Sequence, residues 1–360
     1  MVSKSLKSLL VVCFSLFLAG VSNTLFAQTD TAKKEGFNAS EVIFGHILDN
    51  HEYHFTQYTD EAGVKHPVSI PLPIILYSPQ RGLTAFLSNK FEEGKGTYNG
   101  YKIDDKEGKI VADDENVKVY DLSITRNVVQ MVIGLTVLTW LLLSIASSYK
   151  KGHGVKSAPK GKQNLLEPVI TFVRDEVAKP NLGARYEKYL PYLLTVFFFI
   201  LINNIFGLIP GTANVTGNIA FTAVLGIISF VVIMFSTNSH FWAHIFNPPG
   251  VPFLVKMILV PVEFLGIFIK PFALIIRLFA NMVAGHIIII CLISLIFIFG
   301  QMNAFAGYGA SPVALAFTVF IYFIEILVAF LQAFIFANLT AVFIGQAFEG
   351  GDHQEETVHA

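Results

Sequence analysis

Two stretches of the chain, about residues 252–300 and 312–347, are apolar for much longer than a membrane crossing needs. About 20 residues of helix cross the hydrocarbon core of a bilayer. At about 1.5 Å per residue, a continuous helix of 40 or more residues reaches roughly 60 Å, twice that thickness. Helices formed by these stretches are therefore either broken or strongly tilted. The first stretch also holds a charge that is effectively never lost, Arg277, inside KPFALIIRLFANMVAGHIIIICLISLIFIF. Placing a guanidinium in mid-membrane costs at least about 2.5–3.5 kcal/mol, and such groups face a protein interior or a water-filled path. Nothing in the packing of an apolar helix requires an arginine there, so Arg277 is read as functional.

Composition agrees with a membrane protein. Of 360 residues, 53% are hydrophobic and 14% charged, and the mean hydropathy is +0.59, too apolar for a soluble chain of this length. A net charge of −1 says little about partners. No basic patch lies beside exposed aromatics, which excludes a nucleic-acid partner. The two cysteines, Cys13 in the leader and Cys291 in an apolar span, make neither a disulfide framework nor a metal ladder.

Residues 1–27 read as a signal peptide, with Lys4 and Lys7 ahead of the short apolar run LLVVCFSLFLAGV. Cleavage after Ala27 fits, although Leu25 is larger than the residue usual at that position. Residues 28–120 are polar and acidic and form a small exported α/β or partly ordered region. VSIPLPIILYS and YNGYKIDDKEGKIV read as strands and hairpins, with turns at Asn99-Gly100 and Glu107-Gly108. His46, His51, His54 and Glu52 cluster there, but their spacing matches no ligand motif, and a solvated helix face is the preferred reading.

Residues 121–348 form the membrane domain of an all-α polytopic protein with about five membrane helices. The first span is about 124–148, with Arg126 near its outer end, and the lysine-rich KKGHGVKSAPKGK that follows is cytoplasmic by the positive-inside rule. In LLEPVITFVRDEV, apolar residues at 166, 169/170, 173 and 177 make an amphipathic helix on the membrane surface, with Pro168 near its start. Further spans are expected at about 189–209 and 217–236, joined by the uncharged PGTANVTGN. The two long stretches come last, joined by the uncharged linker GQMNAFAGYGASP on the outer side. Residues 349–360 are a cytoplasmic tail, so the mature N-terminus is outside.

Glu263, Lys270 and Arg277 are seven apart and Asn281 is four further on, so all four lie near one helix face. His286, nine residues past Arg277, points to the opposite side. Glu325 and Gln332 are also seven apart and share a face of the last helix. Histidine and a buried carboxylate are a natural pair for passing protons near neutral pH. The arrangement reads as two offset half-paths, one past Glu263 and one past His286 and Glu325, separated by the fixed cation Arg277. The structural alternatives are that Asn203, Asn204, Asn281 and Gln332 bond between helices, that His286 and Glu325 are a buried structural pair, and that Lys270 snorkels to the surface.

RLFANMVAGH (277–286), followed by EILVAFLQAFIF (325–336), closely resembles the hallmark of subunit a of F-type ATP synthases. The segment from Glu263 through Lys270-Pro271 and the segment NNIFGLIPGTANVTGNIAFT (203–222) match its pattern too, and the resemblance covers about 120–348. It implies that Arg277 meets the membrane carboxylates of a c-subunit ring, with Asn281 and Gln332 as polar support. It implies that Glu263 lies on a cytoplasmic half-channel and that His286 and Glu325 are the external pair. It also implies that the last two helices curve around the ring, and that b-type peripheral stalk subunits and the rest of the synthase are partners. The chain would sit in a bacterial inner membrane as a proton-channel stator without cofactor or nucleotide site, since no Gly-rich phosphate loop is present. Residues 28–120 depart from the common pattern, and the resemblance assigns them no role. The rival reading is a self-contained ion-coupled transporter whose intramembrane arginine binds an anionic substrate, but the internal symmetry usual in that class is not seen.

Overall fold

A computed structural model of the chain describes residues 49–59, 65–91, 96–103, 109–114, 117–152, 161–209, 212–237, 239–248 and 252–348. Of residues 54–59, 65–68, 240, 244 and 348 it describes the backbone alone. The leader 1–27, His46, the Glu107-Gly108 turn, most of the lysine-rich loop and the tail 349–360 lie outside the described residues.

Short antiparallel strands build the N-terminal region. β1 (Glu52–Thr59) pairs with β2 (Lys65–Pro71). β3 (Pro73–Ser78) lies between β4 (Gly82–Leu87) and β7 (Tyr120–Asp121), and β5 (Tyr101–Ile103) pairs with β6 (Ile110–Ala112). Side chains alternate along β3: Ile74, Leu76 and Ser78 are buried and Pro73 and Tyr77 exposed, the period-2 pattern of a half-buried strand. Ile74 and Leu76 join Phe91, Tyr101, Ile110 and Ala112 in one core. Asn99 (φ 51°) and Gly100 (φ 76°) are both left-handed and close the Tyr98–Tyr101 bridge, as the Asn-Gly pair predicts.

The histidine cluster reads differently in the structure. Residues 52–59 are a strand, so no helix face exists there. His51 is buried with Nε2 2.9 Å from Oδ2 of Asp121, which ties the start of β1 to β7. No group of three or more metal-ligating side chains occurs among the described residues.

The rest is helical. α1 is Arg126–Lys150 and α2 is Lys162–Phe172; a π-helical turn, Val173–Ala178, leads into the short α3 (Lys179–Leu182). α4 is Tyr186–Leu208, α5 Ile219–Phe235, α6 Ser239–Phe246, α7 Phe253–Met302 and α8 Ala304–Phe348. Four helical segments are long and apolar enough to cross a membrane: Arg126–Lys150, Lys162–Leu208, Phe253–Met302 and Ala304–Ala347; α5 is shorter but apolar. The chain is a multi-pass membrane protein.

Neither long stretch is broken. Pro261 and Pro271 lie inside α7 and Pro312 inside α8, where each removes a backbone donor and favours a bend. The 50 residues of α7 span about 75 Å at 1.5 Å per residue, so the helix either runs obliquely or projects beyond the membrane. The expected linker GQMNAFAGYGASP is almost wholly helical, with only Asn303 between α7 and α8. The Asn303 side chain accepts from Phe305 N at 3.2 Å and starts the new helix. A Cβ on Gly307 would lie 2.8 Å from Gly300 Cα, so two glycines let the helices turn back on each other without a loop. Lack of charge and abundance of glycine had marked a loop; the close packing of the turn uses the same residues.

α4 lies at the centre of the helical part. Its buried Leu193, Phe197 and Ile200 meet Ala333, Phe336, Ala337 and Ala341 of α8, and small residues let these backbones approach. The expected amphipathic segment does have an apolar face, but Val173, Val177 and Ala178 are buried in this same core instead of lying on a lipid surface. Asn181 anchors it by donating to Oδ1 of Asn338 at 2.9 Å.

Candidate functional site

α7 buries Leu274, Leu278, Met282 and Ile289, spaced by four and seven along one face. Arg277 and Asn281 fall just off that face and are both exposed. No hydrogen bond or salt bridge joins Arg277 to another described residue. Ala273, Ala280 and Ala284 share the exposed side, so the guanidinium stands in a shallow strip of small side chains.

The buried face of α7 continues to Gly285, seven residues past Leu278, and there meets α8. Glu325 is buried at 4% exposure, and neither carboxylate oxygen has a hydrogen-bond partner among the described residues. Its carboxylate lies against Gly285, beside His286: a Cβ on Gly285 would meet Oε1 and would lie 2.9 Å from Cδ. His286 is half-buried. Gln332, seven residues on, is buried too, and Ala329 between them and Ala333 just beyond are wholly buried. The helix period thus separates two environments. Arg277 and Asn281 are exposed, while Glu325 and Gln332 are buried in the helix packing, with the Glu325 carboxylate against Gly285.

Glu263 is partly buried, and its Oε2 is enclosed without a hydrogen-bond partner among the described residues. Lys270 is exposed; its Nζ donates to Oε1 of Gln346 at 3.2 Å and lies 5.0 Å from the Phe343 ring centre, linking α7 to the end of α8. This is a defined contact, more than a snorkelling stem.

Asn204 bonds between helices as the sequence allowed, its Nδ2 donating to the Ala329 carbonyl at 3.1 Å. Asn203 does not: its Nδ2 donates to Phe199 O within its own helix. Three contacts were not anticipated. Tyr322 OH donates to Leu208 O, Asn214 Nδ2 donates to Met282 O at 3.2 Å, and Tyr53 OH of β1 donates to Oε1 of Gln130 in α1 at 2.8 Å. A buried glutamine one turn into an apolar helix was the available signal for the last.

Residues 128–345 match the family model described as ATP synthase A chain, and residues 42–130 match one described as Domain of unknown function (DUF8433). Among curated relatives, ATP synthase subunit a of Chloroherpeton thalassium is 48% identical over 66% of this chain and 70% of its own length. ATP synthase subunit a 2 of Prosthecochloris aestuarii is 44% identical over 67% of this chain and 73% of its own. ATP synthase subunit a 2 of Chlorobaculum tepidum is 44% identical over 66% of each.

Proposed function

The chain belongs to the ATP synthase A chain family, and from that premise we propose that it is the proton-channel stator of the membrane Fo sector, working against a ring of c subunits. The observation that carries this reading is the outward-facing Arg277, a permanent cation on an apolar helix with no ion-pair partner among the described residues. A guanidinium in hydrocarbon needs an anionic or hydrated partner, and a carboxylate on the ring supplies it. The strip of alanines around Arg277 lets another helix approach closely.

Protons enter from the outer side and reach Glu325 and His286. Glu325, enclosed and lacking hydrogen-bond donors among the described residues, passes its proton to a ring carboxylate. That carboxylate, now neutral, moves into the lipid as the ring turns. After nearly a full rotation it comes to the cytoplasmic half-channel, releases its proton past Glu263, and meets Arg277 as an anion. Arg277 holds it ionised and blocks direct proton flow between the half-channels, since it has no proton to give up near neutral pH. The mature N-terminus is outside and the C-terminus cytoplasmic, in a bacterial inner membrane, and b-type stalk subunits hold the stator still. Nucleotide chemistry belongs to the rest of the synthase.

Disulfide trapping tests the facing surface. In the assembled synthase, Asn281→Cys should cross-link to a cysteine placed near the ring carboxylate, whereas the buried neighbour Met282→Cys should not. No cross-link from position 281, or equal cross-linking from both, would overturn the assignment of this face to the ring.

A further inference from the structure

Buried polar groups continue beyond Glu325 into parts of the chain that this cycle leaves unused. Asn204 of α4 bonds to the Ala329 carbonyl, one turn past Glu325, and its own Oδ1 has no partner among the described residues. Asn203, equally wholly buried, also keeps an unpartnered Oδ1. That oxygen faces α1: a Cβ on Gly134 would lie 2.9 Å from it. One turn before Gly134 is buried Gln130, bonded to Tyr53 OH, and one turn before that is buried Arg126. One turn after Gly134 is Leu138, buried and apolar, so the polar series leaves α1 at this level. The start of α1 is itself tied to the N-terminal region: Arg126 N donates to Asn50 O at 3.0 Å and Asn127 N to Oδ1 of Asp49 at 3.2 Å.

Leaving a buried polar atom unsatisfied costs about 1–3 kcal/mol, and ordered water is its usual partner where protein supplies none. The unpartnered oxygens of Asn203 and Asn204 lie between Gln130 and Glu325 in this series, where a file of water would satisfy them.

We infer that Tyr53, Gln130, Asn203 and Asn204 line a hydrated entry to Glu325 that passes between α1 and α4, with β1 of the N-terminal region forming its mouth. This rests on the reading of Glu325 as part of the external half-channel. It gives the segment matching a domain of unknown function a task, which is to shape the point where protons leave bulk water. Tyr53 presents a hydroxyl to Gln130, and Gly134 keeps the wall of α1 low enough for Asn203.

Cysteine accessibility in the intact synthase tests it. Gln130→Cys and Asn203→Cys are placed in a chain whose Cys13 and Cys291 are serine, with Leu138→Cys as the control. Right-side-out vesicles are treated with silver ion, then inverted, and both free thiol and ATP-driven proton pumping are measured. The inference predicts loss of thiol at 130 and 203, inhibition of any pumping those variants retain, and an unreactive 138. A companion variant, Tyr53→Phe, keeps the ring and removes the hydroxyl, and should slow pumping at equal assembly. Unreactive thiols at both 130 and 203, or native pumping by Tyr53→Phe, overturn the inference. Arg277→Ala in the same preparations separates the two readings: if it still pumps, the stator reading fails; if it does not pump while 130 and 203 stay unreactive, only the entry route fails.

Discussion

Gly285 of α7 and Glu325 of α8 occupy touching positions, so that residue 285 has no room for a side chain while the carboxylate stays where it is. The position of the Glu325 carboxylate therefore depends on a glycine that carries no chemistry itself. A methyl group at 285 must push the carboxylate away, and such overpacking costs about 1–3 kcal/mol.

Gly285→Ala should then assemble but pump protons poorly. Shortening the carboxylate relieves the contact, so Gly285→Ala with Glu325→Asp should pump better than Gly285→Ala alone. ATP-driven acidification of inverted vesicles, normalised to assembled complex, measures both. Native pumping in the single variant would mean that the position of the carboxylate is immaterial.

Arg277→Lys should fail to couple although it preserves the formal charge. A lysine in an apolar setting loses its proton far more readily than a guanidinium, and it cannot hold a carboxylate through two parallel hydrogen bonds. Normal coupled pumping by this variant would contradict the role of a fixed cation.

What the sequence revealed here, and what it hid, follows from the range of the interactions. The spans were legible because hydropathy is local: α1 and α4 begin within about three residues of the positions read from composition. The separation of Arg277 from His286 followed from helical period alone. The contact of Gly285 with Glu325 was not legible, because residues 40 apart in sequence meet only through the crossing of two helices. The same holds for Tyr53 and Gln130, 77 residues apart. The Asn303 turn was misread because glycine and lack of charge mark loops and tight helix packing alike.

In the N-terminal region, Asp121 predicts an acid-sensitive contact. Burial alone would raise its carboxyl pKa, but hydrogen bonds from His51 and Ser123 outweigh this and hold it below its ordinary value of 3.8. A depressed carboxylate stabilises the fold above its unfolded pKa, and that contribution disappears as pH falls through the folded pKa. Asp121→Asn should thus destabilise this region by about 1 kcal/mol at neutral pH. The difference from native should hold down to about pH 4 and shrink in stronger acid. Thermal unfolding followed by tyrosine fluorescence of the purified complex measures it. A difference that grows in acid would contradict the assignment.

The most direct measurement compares native synthase with Arg277→Ala in inverted vesicles at equal assembly. It records ATP-driven proton uptake and, after removal of the catalytic head, passive proton leak. The account predicts that the variant loses uptake and leaks more than native, because Arg277 is both the partner of the ring carboxylate and the barrier between the half-channels. Retained uptake with an unchanged leak would place Arg277 outside the proton path and contradict the account.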